Sequence, residues 1–337
     1  MRYLPHIFLF LSMITIISCK KKNVEYRIPE FPPTSVFDSV VDMTPAYAQY
    51  FKVNYLPDGT PLVDIVTTPV DGSSEADTFK LALIHRQKSP QIPEGYTKLA
   101  VPIHSVVCTD SRQISYFVGL DSLEIVKGVF ESGEQHCGMV AKMMRDGKIE
   151  QIGTELTPDI SAIKRLAPDV LLVSPRHYSD KTFHDCGVMQ IPIFSAYEPH
   201  PIAQAEWIKL IAMLIGKEEF GSDYFGKTEQ NYNDAKVSTL EVGHRPLVRM
   251  VVKDNGTLHE LGKEHFQHLF ISDAGGETPA NNSSNRIVGY GKSMKFFEET
   301  ATVAPDTVLK DLVSIIHPEV IPKDSVWERR YFIEISQ

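Results

Sequence analysis

In 201-PIAQAEWIKLIAMLIGKEEFGSDYFGKTEQNYNDAKVSTLEV-242, Trp207, Leu210, Ile211, Leu214 and Ile215 recur at helical spacing, so one face of the segment is apolar and must be covered. Beyond Gly216 a second set, Phe220, Tyr224, Phe225, Thr228, Tyr232 and Ala235, continues the period with acidic and amide residues between. At about 1.5 Å per residue the run extends roughly 60 Å, less any break at Gly216 and Lys217. The expectation is a connecting helix over residues 200–242 that holds two lobes at a nearly fixed distance, with a cleft between them. The periodicity leaves one alternative open, a helical hairpin inside a single larger α/β domain.

On the N-terminal side of this run, residues 99–199 alternate strand-like and helix-like patterns. Strands are expected over 101–107, 125–129, 170–173 and 191–195, and helices through Ile114 to Leu120, over 140–144 and over 159–166. Such alternation predicts an α/β lobe with a largely parallel sheet. Ligands of open α/β sheets sit beyond the carboxyl ends of the strands, so the loops at those ends carry the search for a site. On the other side, residues 243–337 offer a strand over 247–253, a helix over 265–274 stopped by Gly275-Gly276, and a helix over 308–316. The polar stretch 277–292 contains only Ile287 and Val288 as strand formers, and 331–335 is a candidate closing strand. One obvious strand is few for half of such a fold, so this C-terminal lobe is expected to be shortened.

Residues 50–86 alternate turn signals, Pro57-Asp58-Gly59 and Asp71-Gly72, with β-rich runs at 51–55, 62–67 and 79–85, the pattern of hairpins. Residues 19–98 are therefore expected to be a Pro-rich, charged tether followed by a β-rich extension, an apron against the first lobe. Residues 1–18 place Arg2 before an apolar run from Leu4 through Ile17, too short to cross a bilayer and suited to a signal-peptide core. The run ends at Ile16-Ile17-Ser18-Cys19, which resembles the bacterial lipobox, where the cysteine becomes the lipidated first residue. Acylation of Cys19 would anchor the protein to a lipid bilayer.

Composition narrows the classes. The 337 residues are 42% hydrophobic and 23% charged, ordinary for a globular chain of about two domains. A net charge of −9, with Lys20-Lys21-Lys22 as the one basic run, excludes nucleic acid as a partner. Setting Cys19 aside, Cys108, Cys137 and Cys186 are odd in number and widely spaced, so they imply neither a disulfide framework nor a zinc motif. One disulfide among the three remains open. No G-x-S-x-G elbow and no His-Glu-x-x-His is present. Gly289-Tyr290-Gly291-Lys292-Ser293 lacks the first Walker glycine, since position 286 is Arg286, and Met294 occupies the last place of a G-x-G-x-x-G. The chain is expected not to be an enzyme.

Four strings in order carry a family resemblance. They are Ile103-His104-Ser105-Val106-Val107 leading to Gly119-Leu120; Ile152-Gly153 through Pro158-Asp159 with Pro168-Asp169 and Val170-Leu171-Leu172; His200-Pro201 through Lys209 with Gly216-Lys217-Glu218 and Tyr232; and Pro305-Asp306-Thr307-Val308-Leu309-Lys310-Asp311-Leu312 with His317-Pro318-Glu319. Together they resemble the periplasmic binding proteins that deliver iron-siderophore complexes, haem or cobalamin to ABC transporters. The resemblance covers roughly residues 99–322. It implies an α/β fold of two Rossmann-like lobes joined by a long connecting helix, here with a shortened C-terminal lobe. It also implies capture of a ferric siderophore or cobalamin in the cleft, without a cofactor, and delivery to an ABC permease and its ATPase at the periplasmic side of a membrane. Members dock through an acidic residue on each lobe, for which Asp180 and Glu131 are the first-lobe candidates. Pro168-Asp169 ends a helix and starts a strand, a structural role. Asp306, Lys310 and Asp311 are read as capping and surface residues.

The candidate ligand residues are those beyond the strand ends: Thr109 and Ser111; Phe130, Glu131, Gln135 and His136; Arg176, His177 and Tyr178; Tyr197 and Glu198; and, from the second lobe, Asn255, His259 and Lys263. Arg176 beside Tyr178 suits an anionic chelate, because guanidinium binds carboxylates bidentately and stacks on rings. The alternatives are a haem protein with His or Tyr on the iron, a divalent-metal carrier in which His136, His177, His200 and His259 converge, and an envelope lipoprotein with a degenerate binding lobe.

Overall fold

The N-terminal extension is a sheet. The runs β1 (Phe51–Tyr55), β2 (Pro61–Thr67) and β3 (Asp77–His85) pair antiparallel in sequence order, and β4 (Thr97–Val101) joins β3 in parallel. Alternation does the sorting: Phe51 and Val53 point into the core while Lys52 and Asn54 stay in solvent. The strand expected over 101–107 divides at Pro102, which has no N–H with which to continue a ladder. Val101 ends the first sheet, and the chain re-enters a second one at β5 (Val106–Cys108). This computed structural model describes residues 41–68, 76–131, 133–254, 257–260, 268–279, 286–290, 296–322 and 327–335. The expected signal peptide, tether and Cys19, and likewise Asn255, Lys263 and His265, lie outside the described residues.

From β5 the chain runs through α1 (Ser111–Gly119), β6 (Val126–Val129), α2 (Gly138–Arg145), β7 (Glu150–Gln151), α3 (Ile160–Leu166), β8 (Val170–Val173), α4 (Pro175–Ser179) and β9 (Met189–Pro192). The five strands are all parallel, in the order β7-β6-β5-β8-β9. β8 is apolar throughout because both faces are buried. Asp159 caps α3 by accepting the Ala162 N–H at 2.9 Å, and Ala167 stops it in the left-handed region at φ +43. Asp169 then accepts the N–H groups of His104 (2.7 Å) and Ser105 (3.1 Å), tying the start of β8 to the approach to β5. The structural reading of Pro168-Asp169 is thus correct.

The decisive segment forms three helices, α5 (Pro201–Glu206), α6 (Ile208–Ile215) and α7 (Glu218–Val237), and not one. Gly216 ends α6 at φ +70, a conformation open to glycine at little cost. α7 then folds back. Ala212 meets Gly221, the Lys209 ammonium lies 4.8 Å from the Phe225 ring centroid, and the His200 and Tyr232 rings are 5.6 Å apart. The first members of these pairs descend in sequence as the second ascend, which defines an antiparallel hairpin. The expected rod over 200–242 is therefore replaced by the hairpin alternative. The two apolar stripes cover one another, and α7 alone, with 20 residues and about 30 Å of length, leads to the last sheet.

That sheet contains four strands where one was obvious. The elements are β10 (Val248–Asp254), β11 (Thr257–Glu260), α8 (His268–Asp273), β12 (Arg286–Tyr290), α9 (Phe297–Ala301), α10 (Pro305–Ile316) and β13 (Phe332–Glu334), with strand order β11-β10-β12-β13. β10 and β12 are parallel and the outer pairs antiparallel, so the expected closing strand completes the sheet. α10 packs on α7. Asp311 is a correction: it is buried, not superficial, and accepts hydrogen bonds from the Trp327 indole (2.8 Å) and the backbone N–H groups of Arg330, Tyr331 and Phe332 (2.9, 2.6 and 3.2 Å).

The described residues belong to one compact unit, Val41–Gln337. Two buried carboxylates, Glu198 just before α5 and Glu206 at its end, strap the N-terminal extension to this helix. Glu206 accepts the backbone N–H groups of Ala46, Tyr47 and Ala48 at 2.7, 2.7 and 2.9 Å, and Glu198 those of Gln49 and Tyr50 at 2.9 and 3.1 Å. Lys209 balances Glu206 at 2.9 Å, and Phe51 packs on Trp207 with ring centroids 4.9 Å apart. Cys108, Cys137 and Cys186 are buried and unbridged. Among the described residues no helix is long and apolar enough to cross a membrane.

Candidate functional site

Beyond the carboxyl end of β5, α1 packs against α9 from the C-terminal part of the chain. Arg112, in the first turn of α1, bridges the two halves, with Asp110 at 2.7 Å on one side and Glu298 at 2.6 Å on the other. Burial works against the Arg112 charge, but the two carboxylates outweigh it and raise its pKa. Next to it, Glu299 enters the five-stranded lobe with its side chain only 2% exposed. One of its oxygens meets His136 Nδ1 at 2.5 Å and the other accepts the Cys137 N–H at 2.7 Å. His136 Nε2 faces the Phe130 carbonyl at 2.6 Å. Both ring nitrogens thus face acceptors, an arrangement that favours the doubly protonated ring. Desolvation opposes that charge, yet the Glu299 hydrogen bond and charge prevail and the His136 pKa is raised.

His136 is therefore a lobe-to-lobe contact in place of a ligand residue free in a cleft. His177 is also committed: Nδ1 lies 2.9 Å from the Ser174 hydroxyl and Nε2 2.9 Å from the Glu155 carbonyl, with the ring between Phe130 and Phe183. His200 contacts Asp273 at 3.1 Å, alongside Tyr232 at 2.6 Å and Lys236 at 2.7 Å. Burial alone would raise the Asp273 pKa, but these three donors hold it at about 2. His259 is exposed on β11, in the other sheet. The four histidines expected to converge on a metal do not come together.

The remaining candidates divide. Thr109 is buried and structural; its N–H donates to Gln113 at 2.8 Å and its hydroxyl accepts the Ser174 N–H at 2.9 Å, joining the ends of β5 and β8. Glu131, at φ +64, accepts the Glu155 N–H at 3.2 Å and so braces the turn after β7. Arg176 is half-exposed and 3.4 Å from Glu155. Tyr178 and Tyr197 do come together, both edge-on to Phe194, and Tyr50 of the extension joins them. Burial, then the nearby Asp77 of β3, raises the Tyr178 pKa. Asp180 caps α4 and is exposed. Sequence reasoning missed Arg112, Glu298 and Glu299; the only local signal was Arg112 following the helix-capping Asp110.

Among the described residues a cavity of about 80 Å³ lies between α1, α5, α8 and α9, lined by Arg112, Gln204, Phe270, Phe297 and Glu298. Sites for drug-sized ligands span roughly 300–1,000 Å³. α9 lines this cavity with Phe297, Glu298 and Ala301, and the space left is too small for a bulky chelate.

No family model matches the chain. Among curated proteins, an uncharacterized lipoprotein of Methanocaldococcus jannaschii is 25% identical over 150 residues, 42% of this chain and 36% of that one. The chain thus matches little more than a third of that relative's length. Among solved structures, a periplasmic haem-binding protein from Pseudomonas aeruginosa overlaps 70% of this chain and 99% of its own, with a TM-score of 0.51 at 14% identity. The iron-uptake system-binding protein of Bacillus subtilis overlaps 64% and 84%, with a TM-score of 0.46 at 16% identity. The chain shares its mixed α/β fold with the periplasmic haem-binding protein, and its described residues form three sheets, two of four strands and one of five.

Proposed function

We propose that the protein is a solute-binding lipoprotein of an ABC importer, held to a membrane by acylated Cys19, that captures a ferric siderophore or cobalamin between its lobes and passes it to a permease and its ATPase. The observation that carries this reading is the fold, shared with a periplasmic haem-binding protein over nearly that protein's whole length. The lipobox-like Ser18-Cys19 and the distant lipoprotein relative support the anchor. The chain's part in the mechanism is binding and release, with no bond made or broken. Cargo entry requires α9 to leave α1, and a ligand drives that opening only by its preference for the open arrangement. Arg176 and Tyr178 are the side chains we assign to an anionic cargo, and Asp180 and Glu131 to permease docking.

A second reading is favoured by the small cavity: a binding lobe that no longer admits cargo, in a protein serving as an envelope interaction module. A thermal-shift panel of cobalamins, haem and ferric siderophores on the purified chain separates the two. A carrier gains RT ln(1 + [L]/Kd) with one class, about 2.7 kcal/mol at a hundredfold excess over Kd. No shift across the panel overturns the importer reading. With a responding ligand, Arg176→Ala weakens an anionic chelate by about 1–3 kcal/mol, and unchanged affinity removes Arg176 from the site.

A further inference from the structure

Outside the interlobe region, three chemistry-bearing side chains meet where the chain leaves α7 and where α10 ends. His317 is fully buried, with Nε2 3.2 Å from the Gly275 carbonyl and Nδ1 3.1 Å from Glu319 Oε1. His244, on the loop between α7 and β10, stands edge-on to it with ring centroids 5.3 Å apart, and its Nε2 is 3.8 Å from the same Glu319 oxygen. One ligand atom from each of the three lies within 4.8 Å of the others. The Gly275 carbonyl can only accept, so it takes the Nε2 proton of His317, and a metal ion that displaces the proton shared between Nδ1 and Glu319 would find the Nδ1 lone pair beside Glu319 and His244. Ligating histidines show this arrangement, the far N–H held by a carbonyl and the near nitrogen aimed at the metal. Gly275 is itself fitted to the task, since a Cβ there would stand 2.8 Å from His317 Nε2.

We propose that His244, His317 and Glu319 form a divalent transition-metal site, best suited to Zn2+, that clips the loop after α7 to the end of α10. Tetrahedral zinc with bonds near 2.0–2.1 Å sets its ligand atoms about 3.3 Å apart. The observed separations of 3.1 and 3.8 Å bracket that spacing. Two imidazoles and a carboxylate select Zn2+ and similar first-row ions over Mg2+, which takes hard oxygen ligands. Three protein ligands leave a fourth position for water. This site is separate from the proposed cargo region and stands whether or not the protein carries a chelate.

The test is competition between the full chain, stripped with EDTA, and a chromophoric zinc chelator, together with thermal melts in Zn2+ or Mg2+. The site predicts one Zn2+ withdrawn per chain and a rise in melting temperature with Zn2+ but not Mg2+. His244→Ala and Glu319→Gln, both at exposed positions and expected to fold, each weaken Zn2+ binding at least tenfold. His317→Ala removes a buried ring and is not relied on. The proposal is overturned if the wild type withdraws no Zn2+, or if His244→Ala and Glu319→Gln both bind it as the wild type does.

Discussion

Gly221→Ala tests the helical hairpin directly, because two opposed effects predict opposite signs for its outcome. In an isolated helix the change is favourable by about 1 kcal/mol, since alanine is the better helix former. In the hairpin the new Cβ would stand 2.4 Å from the Ala212 Cβ, with the Ile208 carbonyl at 3.7 Å behind it. Both clashing atoms are fixed to backbone, so no rotamer relieves them and α7 must move off α6 by about 1 Å. Overpacking of this kind costs about 1–3 kcal/mol, and a clash between two rigid atoms falls at or above the top of that range. The net expectation is a loss of about 2 kcal/mol. At roughly 2.1 cal/mol/K per residue over 337 residues, this lowers the melting temperature by about 3 °C. Urea denaturation of the wild type, Gly221→Ala, Ala212→Gly and the double variant completes the measurement. The double variant should regain most of the steric loss, with a coupling of about 1–3 kcal/mol between two positions nine apart in sequence. If Gly221→Ala is instead more stable than wild type and uncoupled from residue 212, then α7 does not lie on α6, and the straight connecting helix is the correct geometry.

Four further outcomes follow from the ion pairs. Removing one partner of the buried His136 and Glu299 pair, as in Glu299→Ala, costs about 3–5 kcal/mol by urea midpoint. Because the His136 pKa is raised, the pair's stabilisation is complete below the ordinary histidine value of 6.5 and is lost as pH climbs through the higher folded value, so the gap between wild type and His136→Gln narrows with rising pH. Asp273, depressed from 3.8 to about 2, contributes about 2 kcal/mol that is complete above pH 3.8 and disappears as pH falls through 2; Asp273→Asn lowers stability by that amount near neutrality, and a constant gap down to acid pH contradicts the assignment. Arg176→Ala leaves the melting temperature nearly unchanged, within about 0.5 kcal/mol, since its contact with Glu155 is long and solvent-exposed; a larger loss means that Arg176 is structural.

The elements legible in the sequence are those whose signals are local. Asp159 at the head of α3, Pro168-Asp169 at its tail and the unbroken apolar run of β8 announce one strand-helix-strand unit without outside help. The fold-back at Gly216 was half legible. A glycine marks a stop, but whether the chain then continues or reverses depends on Gly221 finding Ala212, a tertiary contact with no signature in periodicity. The last sheet was partly visible: β10 and the closing strand β13 were expected, whereas β12 showed only Ile287 and Val288 and β11 gave no signal, since short strands are defined by their neighbours. At the candidate site, loop position picked out His136 and His177 but not their roles. The partner that commits His136 is 163 residues away, and the one that commits His177 is 22 away. Tyr178 and Tyr197, both offered as ligand candidates, meet at Phe194, and Tyr50, which shares that place, belongs to a sheet whose purpose the sequence left open.

The grip of Glu206 and Glu198 on residues 46–50 has a bearing on how this region tolerates change. Both acids hold main-chain N–H groups, and Ala46 and Ala48 contribute no side chain beyond a methyl to the contact. A substitution there leaves the gripped atoms in place so long as the newcomer fits the space. Proline is the exception, for it deletes the gripped hydrogen and strands a carboxylate that has no access to solvent. A saturation library at Ala46 and Ala48 should thus be permissive to most residues and intolerant of one, whereas Glu198 and Glu206 should accept almost nothing.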